Sequence, residues 1–240
     1  MITRLAYYFP LVWDPTYILV IVGIVFSLIA SSRMKATFSK YSKVQSYSGL
    51  TGQSAAAQIL LYAGISDVQI NQIAGDLTDN YNPRENTLNL SQSTAYSNSV
   101  AAIGVAAHEC GHAMQHREGY APIKVRNALV PVANLGSTLA WPIILIGLLF
   151  NNSMSPVLLN IGIFLFLGAV LFQLVTLPVE LDASRRALVT LQNTGLLAGD
   201  ELDAAGKVLK AAAWTYVAAA AASMLQLLRI ILLSRGRRRS

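Results

Sequence analysis

His108-Glu109-Cys110-Gly111-His112 is the part of this 240-residue sequence whose residue types and spacing could do chemistry. Residues four apart on an α-helix differ by only about 40° of rotation, so both imidazoles face the same way and can share one divalent metal through ring nitrogen. Glu109 stands about 100° around the helix from His108. Its carboxylate can reach an attacking water without ligating the metal. That is the placement of a general base, which takes the water's proton as oxygen attacks a carbonyl and passes it to the leaving amine. A chain of this length carries HExxH by accident only about once in a hundred.

A zinc hydrolase site needs a third protein ligand and an open position. His116 continues the spacing, but by then a straight helix has turned about 80° and risen about 12 Å from His108, which suits a polar residue at the helix end better than a ligand. Glu180 is the other candidate, directly after Pro178 and at the start of an expected helix through Ala187. Its structural alternative is a carboxylate favoured by a helix N-terminus, and Asp182 is its nearest competitor.

The HExxH segment needs a rigid support, and the pattern supplies one. Ser97-Asn98-Ser99 offers capping oxygens, after which Val100 to Gln115 reads as an alanine-rich helix. Thr51 to Tyr62 has the spacing of another helix, ended near Gly64. Ile65 to Ile70 and Thr87 to Ser91 alternate as short strands, and Asn80 to Asn86 reads as a turn cluster.

The surroundings are apolar. Hydrophobic residues make up 54% of the chain and charged residues only 12%, half the charge of ordinary globular sequences. The net charge of +6 leans on four arginines in the last six residues, which disfavours a nucleic-acid binder. The single Cys110 excludes an internal disulfide framework and a Cys-rich zinc site. Thr16 to Ser32 is an uncharged run long enough to span a bilayer, preceded by an aromatic collar at Tyr7, Tyr8, Phe9 and Trp13. Nothing charged lies between Arg126 and Glu180, and the polar stretch Asn151 to Pro156 divides this region into a helical hairpin, about Leu129–Phe150 and Val157–Leu177. Pro142 is expected to kink the first of these. A last apolar segment, Ala211 to Leu233, could span with Arg229 snorkelling to the interface, lie on the membrane, or pack on the other helices.

The domain expectation follows. Residues 1–34 form an N-terminal segment and first membrane helix, and 35–126 a polar catalytic region. Residues 127–179 form the membrane hairpin, 180–210 carry the third ligand, and 211–240 form an apolar helix with a basic tail.

His108-Glu109-Cys110-Gly111-His112, followed after the hairpin by Pro178-Val179-Glu180-Leu181-Asp182-Ala183-Ser184-Arg185-Arg186-Ala187, resembles the YugP-like neutral zinc metallopeptidases of bacterial membranes. More distantly it resembles the HtpX and CAAX-prenyl endopeptidase group. The likeness runs from Asp14-Pro15-Thr16-Tyr17 and the Asn82-Pro83-Arg84 turn through Ala213-Trp214. It implies one zinc ion held by His108, His112 and Glu180, with Glu109 as catalytic base. The distant relatives carry an Asp four residues after the ligand Glu, where this chain has Ser184, a residue that can still hydrogen-bond an imidazole.

Other residues carry weaker signals. Cys110 points away from the metal and reads as a small core residue. The strand Thr87 to Ser91 could pair with an extended peptide substrate or be purely structural. Arg185 or Arg186 could stabilise an oxyanion or pair with lipid phosphate.

The expected protein is a mainly α, integral membrane HExxH zincin-like domain of gluzincin type, with a small β element, interrupted by a transmembrane hairpin. It would act as a zinc-dependent endopeptidase on peptide or membrane-protein substrates in the bacterial inner membrane, with the lipid bilayer and no nucleic acid as partner. Lys and Arg near the helix ends place the active site in the cytoplasm. The alternatives are a non-proteolytic zinc-binding scaffold or assembly factor and a transporter, the last predicting ionisable residues inside membrane helices that the first three lack.

Overall fold

A computed structural model of the protein describes residues 14–150 and 153–237. The aromatic collar from Tyr7 to Trp13, Asn151 and Asn152 of the hairpin turn, and Arg238 and Arg239 lie outside the described residues. The fold is mainly helical. In chain order the elements are α1 (Tyr17–Tyr41), α2 (Gly52–Tyr62), β1 (Gln69–Ile73), β2 (Asn80–Asn82), β3 (Thr87–Ser91), α3 (Gln92–Ala95), α4 (Val100–Arg117), α5 (Ala121–Leu149), α6 (Ser155–Asn193) and α7 (Asp200–Arg237). Helices α1, α5, α6 and α7 are each long and apolar enough to cross a membrane.

The chain divides into two compact units. One comprises Met1–Ile29, Asn127–Leu174 and Val217–Ser240. Its small residues let helices approach: a Cβ on Gly23 would lie 3.1 Å from Ala222, and Trp141 meets Phe166 edge-on. Ala140, Ile144, Leu159, Phe166, Val170 and Ile230 form its buried cluster, while Ile18, Val22, Val25 and Leu28 of α1 are exposed. Within this unit Arg229 is buried, not snorkelling. Its guanidinium lies 3.2 Å from Asp14 Oδ2 and 3.8 Å from the Tyr17 ring centroid. Such pairing satisfies a charge that would otherwise be costly among apolar helices.

The other unit comprises Ala30–Arg126 and Val175–Tyr216. Its core joins Ile59 and Leu60 of α2, Leu88 and Leu90 of β3, Ile103 and Cys110 of α4, Leu191 of α6 and Leu209 of α7. Thr51 caps α2, its hydroxyl accepting from Ser54 N. The left-handed Gly64 then turns the chain so that Ile65 N donates to the Leu60 carbonyl. That turn commits Ile65 to the core, so the strand expected from Ile65 begins only at Gln69, where β1 pairs parallel with β3. The stretch expected to be all turn begins instead as β2, antiparallel to β3, and the turn itself is confined to Pro83–Asn86, with Asn86 left-handed.

The sheet order β1-β3-β2 makes β3 the central strand. Both of its edges are occupied and it is largely buried, which removes it as a docking edge for a peptide. A second correction concerns Pro178. It lies inside α6, so Glu180 is in the middle of a 39-residue helix and not at a helix start. Val179, Ala183, Ala187 and Leu191 recur every four residues and are fully buried. Packing along this stripe carries the helix through the missing proline N–H.

Candidate metal centre

The centre is assembled by α4 against α6. Ser99 caps α4, its hydroxyl accepting from Ala102 N at 3.2 Å. Gly111 then lets the two helices come close, since a Cβ there would lie 2.5 Å from the Ala183 carbonyl oxygen. Glu180 sits one turn before Ala183 and is thereby laid across the two histidines. His108 Nε2 lies 3.2 Å and His112 Nε2 3.6 Å from Glu180 Oε2. The donor atoms of His108, His112 and Glu180 all fall within 4.8 Å of one another. Ligands about 2.0–2.1 Å from a tetrahedral zinc are separated by about 3.4 Å, so these spacings fit the edges of such a site.

The hydrogen bonds behind the ligands sharpen that fit. Gln115 Nε2 donates to the Val179 carbonyl at 2.8 Å and to Asp182 Oδ2 at 3.0 Å. Both amide hydrogens are thus used, and the atom facing His112 Nδ1 at 3.0 Å is Oε1, which can only accept. Nδ1 therefore carries the proton, and neutral His112 turns a bare Nε2 lone pair toward a carboxylate oxygen. That arrangement needs a cation between them, either a second proton or a metal ion. Ser184 Oγ hydrogen-bonds His108, 3.1 Å from its Nδ1.

The electrostatics agree. Burial opposes charge on His112, but its bond to Glu180 and the negative charges of Glu109 and Glu180 outweigh this and raise its pKa. Burial pushes the Glu109 carboxyl up as well; the two histidines pull it down, while Glu180 and Asp79 push it further up. A dication between the histidines would draw Glu109 back toward the ionised form.

Several residues fall elsewhere. His116 hydrogen-bonds the Tyr81 hydroxyl at 3.2 Å and lies outside the group. Asp182 supports Gln115 and pairs with Arg185 and Arg186. Arg186 also holds Glu118, so neither arginine is free to serve an oxyanion. Cys110 is buried, packs on α2 with Sγ 3.7 Å from the Ala56 carbonyl, and its thiol pKa is pushed up, chiefly by burial.

Three residues escaped the sequence reading. Gln115 is three residues after His112 and so shares its helix face, a signal that was available. Asp79 accepts from Ser91 N, Ser91 Oγ and Thr94 Oγ1, tying the β1–β2 loop to the start of α3. Tyr216 of α7 lies where the charges of Glu180 and Glu109 act on its hydroxyl, and nothing local in the sequence marks it.

Residues 16–235 match the family described as "putative neutral zinc metallopeptidase". A relative named "putative membrane protease YugP", from Bacillus subtilis (strain 168), is 42% identical over 215 residues, covering 90% of this chain and 94% of its own. No solved structure matches the chain at a significant level. With the match spanning nearly the whole sequence, the chain belongs to the neutral zinc metallopeptidase family so described.

Proposed function

We propose that the protein is a membrane-embedded, zinc-dependent endopeptidase of gluzincin type, with His108, His112 and Glu180 as the ligands of one zinc ion and Glu109 as general base. The observation that carries this reading is the lock of Gln115 on His112, which leaves an imidazole lone pair and a carboxylate oxygen facing each other. When bound, zinc would polarise the scissile carbonyl and lower the pKa of water. The chain's own residues do the rest. Glu109 accepts a proton from the attacking water as the new C–O bond forms, then delivers it to the amine nitrogen as the C–N bond breaks. The net change is the addition of one water across the peptide bond. Gln115 keeps His112 in the tautomer that presents Nε2, and Ser184 orients the His108 ring through Nδ1.

The substrates would be peptides or membrane proteins and the location the bacterial inner membrane. Arg33, Lys35, Lys40, Lys43, Lys124, Arg126, Arg185, Arg186, Lys207 and Lys210 all fall in the unit that carries the site, which supports a cytoplasmic active site. Arg229 pairs with Asp14, so the end of α7 shares a side with the start of α1. With α1, α5, α6 and α7 each crossing once, tags at the two termini should report the same side.

Glu109→Gln tests the function. The variant should keep one zinc per chain and lose cleavage, and membrane proteins it traps should be cleaved by the wild type. A zinc-binding scaffold would keep its cellular role in this variant. If the fully zinc-loaded wild type cleaves nothing, the peptidase reading fails.

A further inference from the structure

The unit that carries the metal centre holds a second concave feature. A cavity of about 210 Å³ opens where the end of α4 meets β2, and no step of the proposed reaction uses it. On α4, Ala113 and His116 of its lining follow Glu109 by four and seven residues. Both therefore stand within about 40° of Glu109 around the helix, about 6 Å and about 10 Å further along. The cavity continues the face from which Glu109 works. An extended peptide advances about 3.4 Å per residue, so the cavity lies about two to three residues from a bond held at Glu109.

The polar groups inside are mostly acceptors. Tyr81 Oη lies 3.2 Å from His116 Nδ1 and 3.5 Å from Asn86 Oδ1. It has one proton to give, and a carboxamide oxygen has two lone pairs, so Asn86 Oδ1 keeps room for another donor whichever way that proton points. Asn86 is fixed by its left-handed backbone and by its carbonyl, which accepts from Gln69 N at 2.9 Å. Asp67 adds a negative charge. Burial raises the Tyr81 pKa and the charge of Asp67 raises it further, so that charge is felt inside the cavity. Arg117 shows what Asp67 accepts, with its Nη1 3.6 Å from Asp67 Oδ1. Both side chains are more than half exposed, 60% and 54%, and so exposed an ion pair contributes little. A better-seated cation can take Asp67 from it.

We propose that this cavity is a specificity pocket for a lysine or arginine side chain of the substrate, two or three residues from the scissile bond. The aliphatic stem lies on Ile65, Val68 and Ala113, which line the pocket. The cationic head reaches Asp67, Tyr81 Oη and Asn86 Oδ1, and Arg117 swings out to solvent. Charge selects the ligand: a carboxylate and two neutral oxygens satisfy several N–H groups, whereas an acidic side chain meets Asp67 with like charge. Lysine and arginine are also what flank membrane helices on the cytoplasmic side, so the pocket matches the membrane-protein substrates of the proposed function.

The inference rests on the peptidase reading, and the experiment separates the two. Full-length wild type, Asp67→Asn and Arg117→Gln are purified in detergent, zinc-loaded and checked for one zinc per chain. A random-sequence peptide library is digested by the wild type and its cut sites are mapped by mass spectrometry. Lys or Arg should be enriched two or three residues from the cut, on one side. A peptide pair with arginine or its neutral isostere citrulline at that position then gives a ratio of kcat/KM values. The ratio should be about tenfold or more for wild type, near one for Asp67→Asn, and higher than wild type for Arg117→Gln, where the internal competitor is gone. Binding of the same pair to Glu109→Gln, read by fluorescence anisotropy, should favour arginine without turnover. A library cut without basic preference, a ratio that survives Asp67→Asn, or a ratio that falls in Arg117→Gln overturns the pocket while the peptidase reading stands. A wild type that cleaves nothing overturns both.

Discussion

Gly111, one residue before His112, faces the backbone of Ala183 so closely that a methyl group placed on it would meet the carbonyl oxygen at 2.5 Å. This contact sets the distance between the helix with two histidines and the helix with the carboxylate. Gly111→Ala should force the helices apart, destabilising the fold by about 1–3 kcal/mol and weakening zinc binding by about tenfold or more. Gly206→Ala is the control. Its new methyl would meet only Leu188 methyls at 3.8–3.9 Å, so it should leave zinc binding alone and add up to about 1 kcal/mol of helix stability. Competition titration with a zinc chelator distinguishes the two variants.

The support behind the ligands should be measurable separately from the ligands. Gln115→Leu keeps the shape but frees the His112 tautomer and leaves the Val179 carbonyl and Asp182 without their donor; zinc affinity should drop about 10–100-fold. Ser184→Ala should weaken binding about tenfold through His108, and Ser184→Asp should restore or exceed the wild-type value. Equal affinities across all three variants would show that the hydrogen bonds do not tune the centre.

Acidity couples to the metal. Glu109 and His112 both hold their protons more tightly in the fold than their ordinary values predict. A pKa raised on folding contributes stability that is present below the unfolded value and lost as pH rises through the folded one. Metal-free protein should therefore become more thermally stable as pH falls from about 8 to about 6. Zinc affinity should fall over the same range, because the His112 proton must leave for the metal to bind. Melting curves with and without chelator should converge on the acidic side. A metal-free midpoint that drops on acidification would contradict this assignment of charge.

The Asp14–Arg229 pair makes a prediction for the other unit. Asp14→Asn strands a buried guanidinium and should cost about 3–5 kcal/mol. Arg229→Met should cost less, since it removes the charge and keeps an apolar stem, and the double variant should recover most of the Asp14→Asn loss. Urea denaturation in detergent micelles would read all four forms. Strictly additive losses would mean that the pair does not interact.

Two members of the candidate metal group were readable because they are local. His108, Glu109 and His112 fall within five residues of one helix, so the geometry of a single turn fixes which side chains converge. The apolar segments were readable for a related reason: length and hydropathy are properties of a run, and four such runs stand in the structure as long helices. Glu180 was nominated by its place after Pro178, with Asp182 as its nearest competitor, and the resemblance implied it as the third ligand.

Boundaries and partners were decided elsewhere. Pro178 looked like a helix start until the buried stripe from Val179 to Leu191 showed that packing outweighs one missing backbone bond. The strand at Thr87–Ser91 looked open until two other strands occupied its edges. Gln115 braces the centre through contacts with α6 residues far away in the chain, and Asp79 reaches across from the β1–β2 loop to Ser91 and Thr94. The sequence by itself set two histidines on one face of one helix with Glu109 between them, because spacing along a helix encodes a face. Only the tertiary structure decided which carboxylate completes the set and which side chains hold it, because those choices depend on how closely Gly111 lets two helices approach.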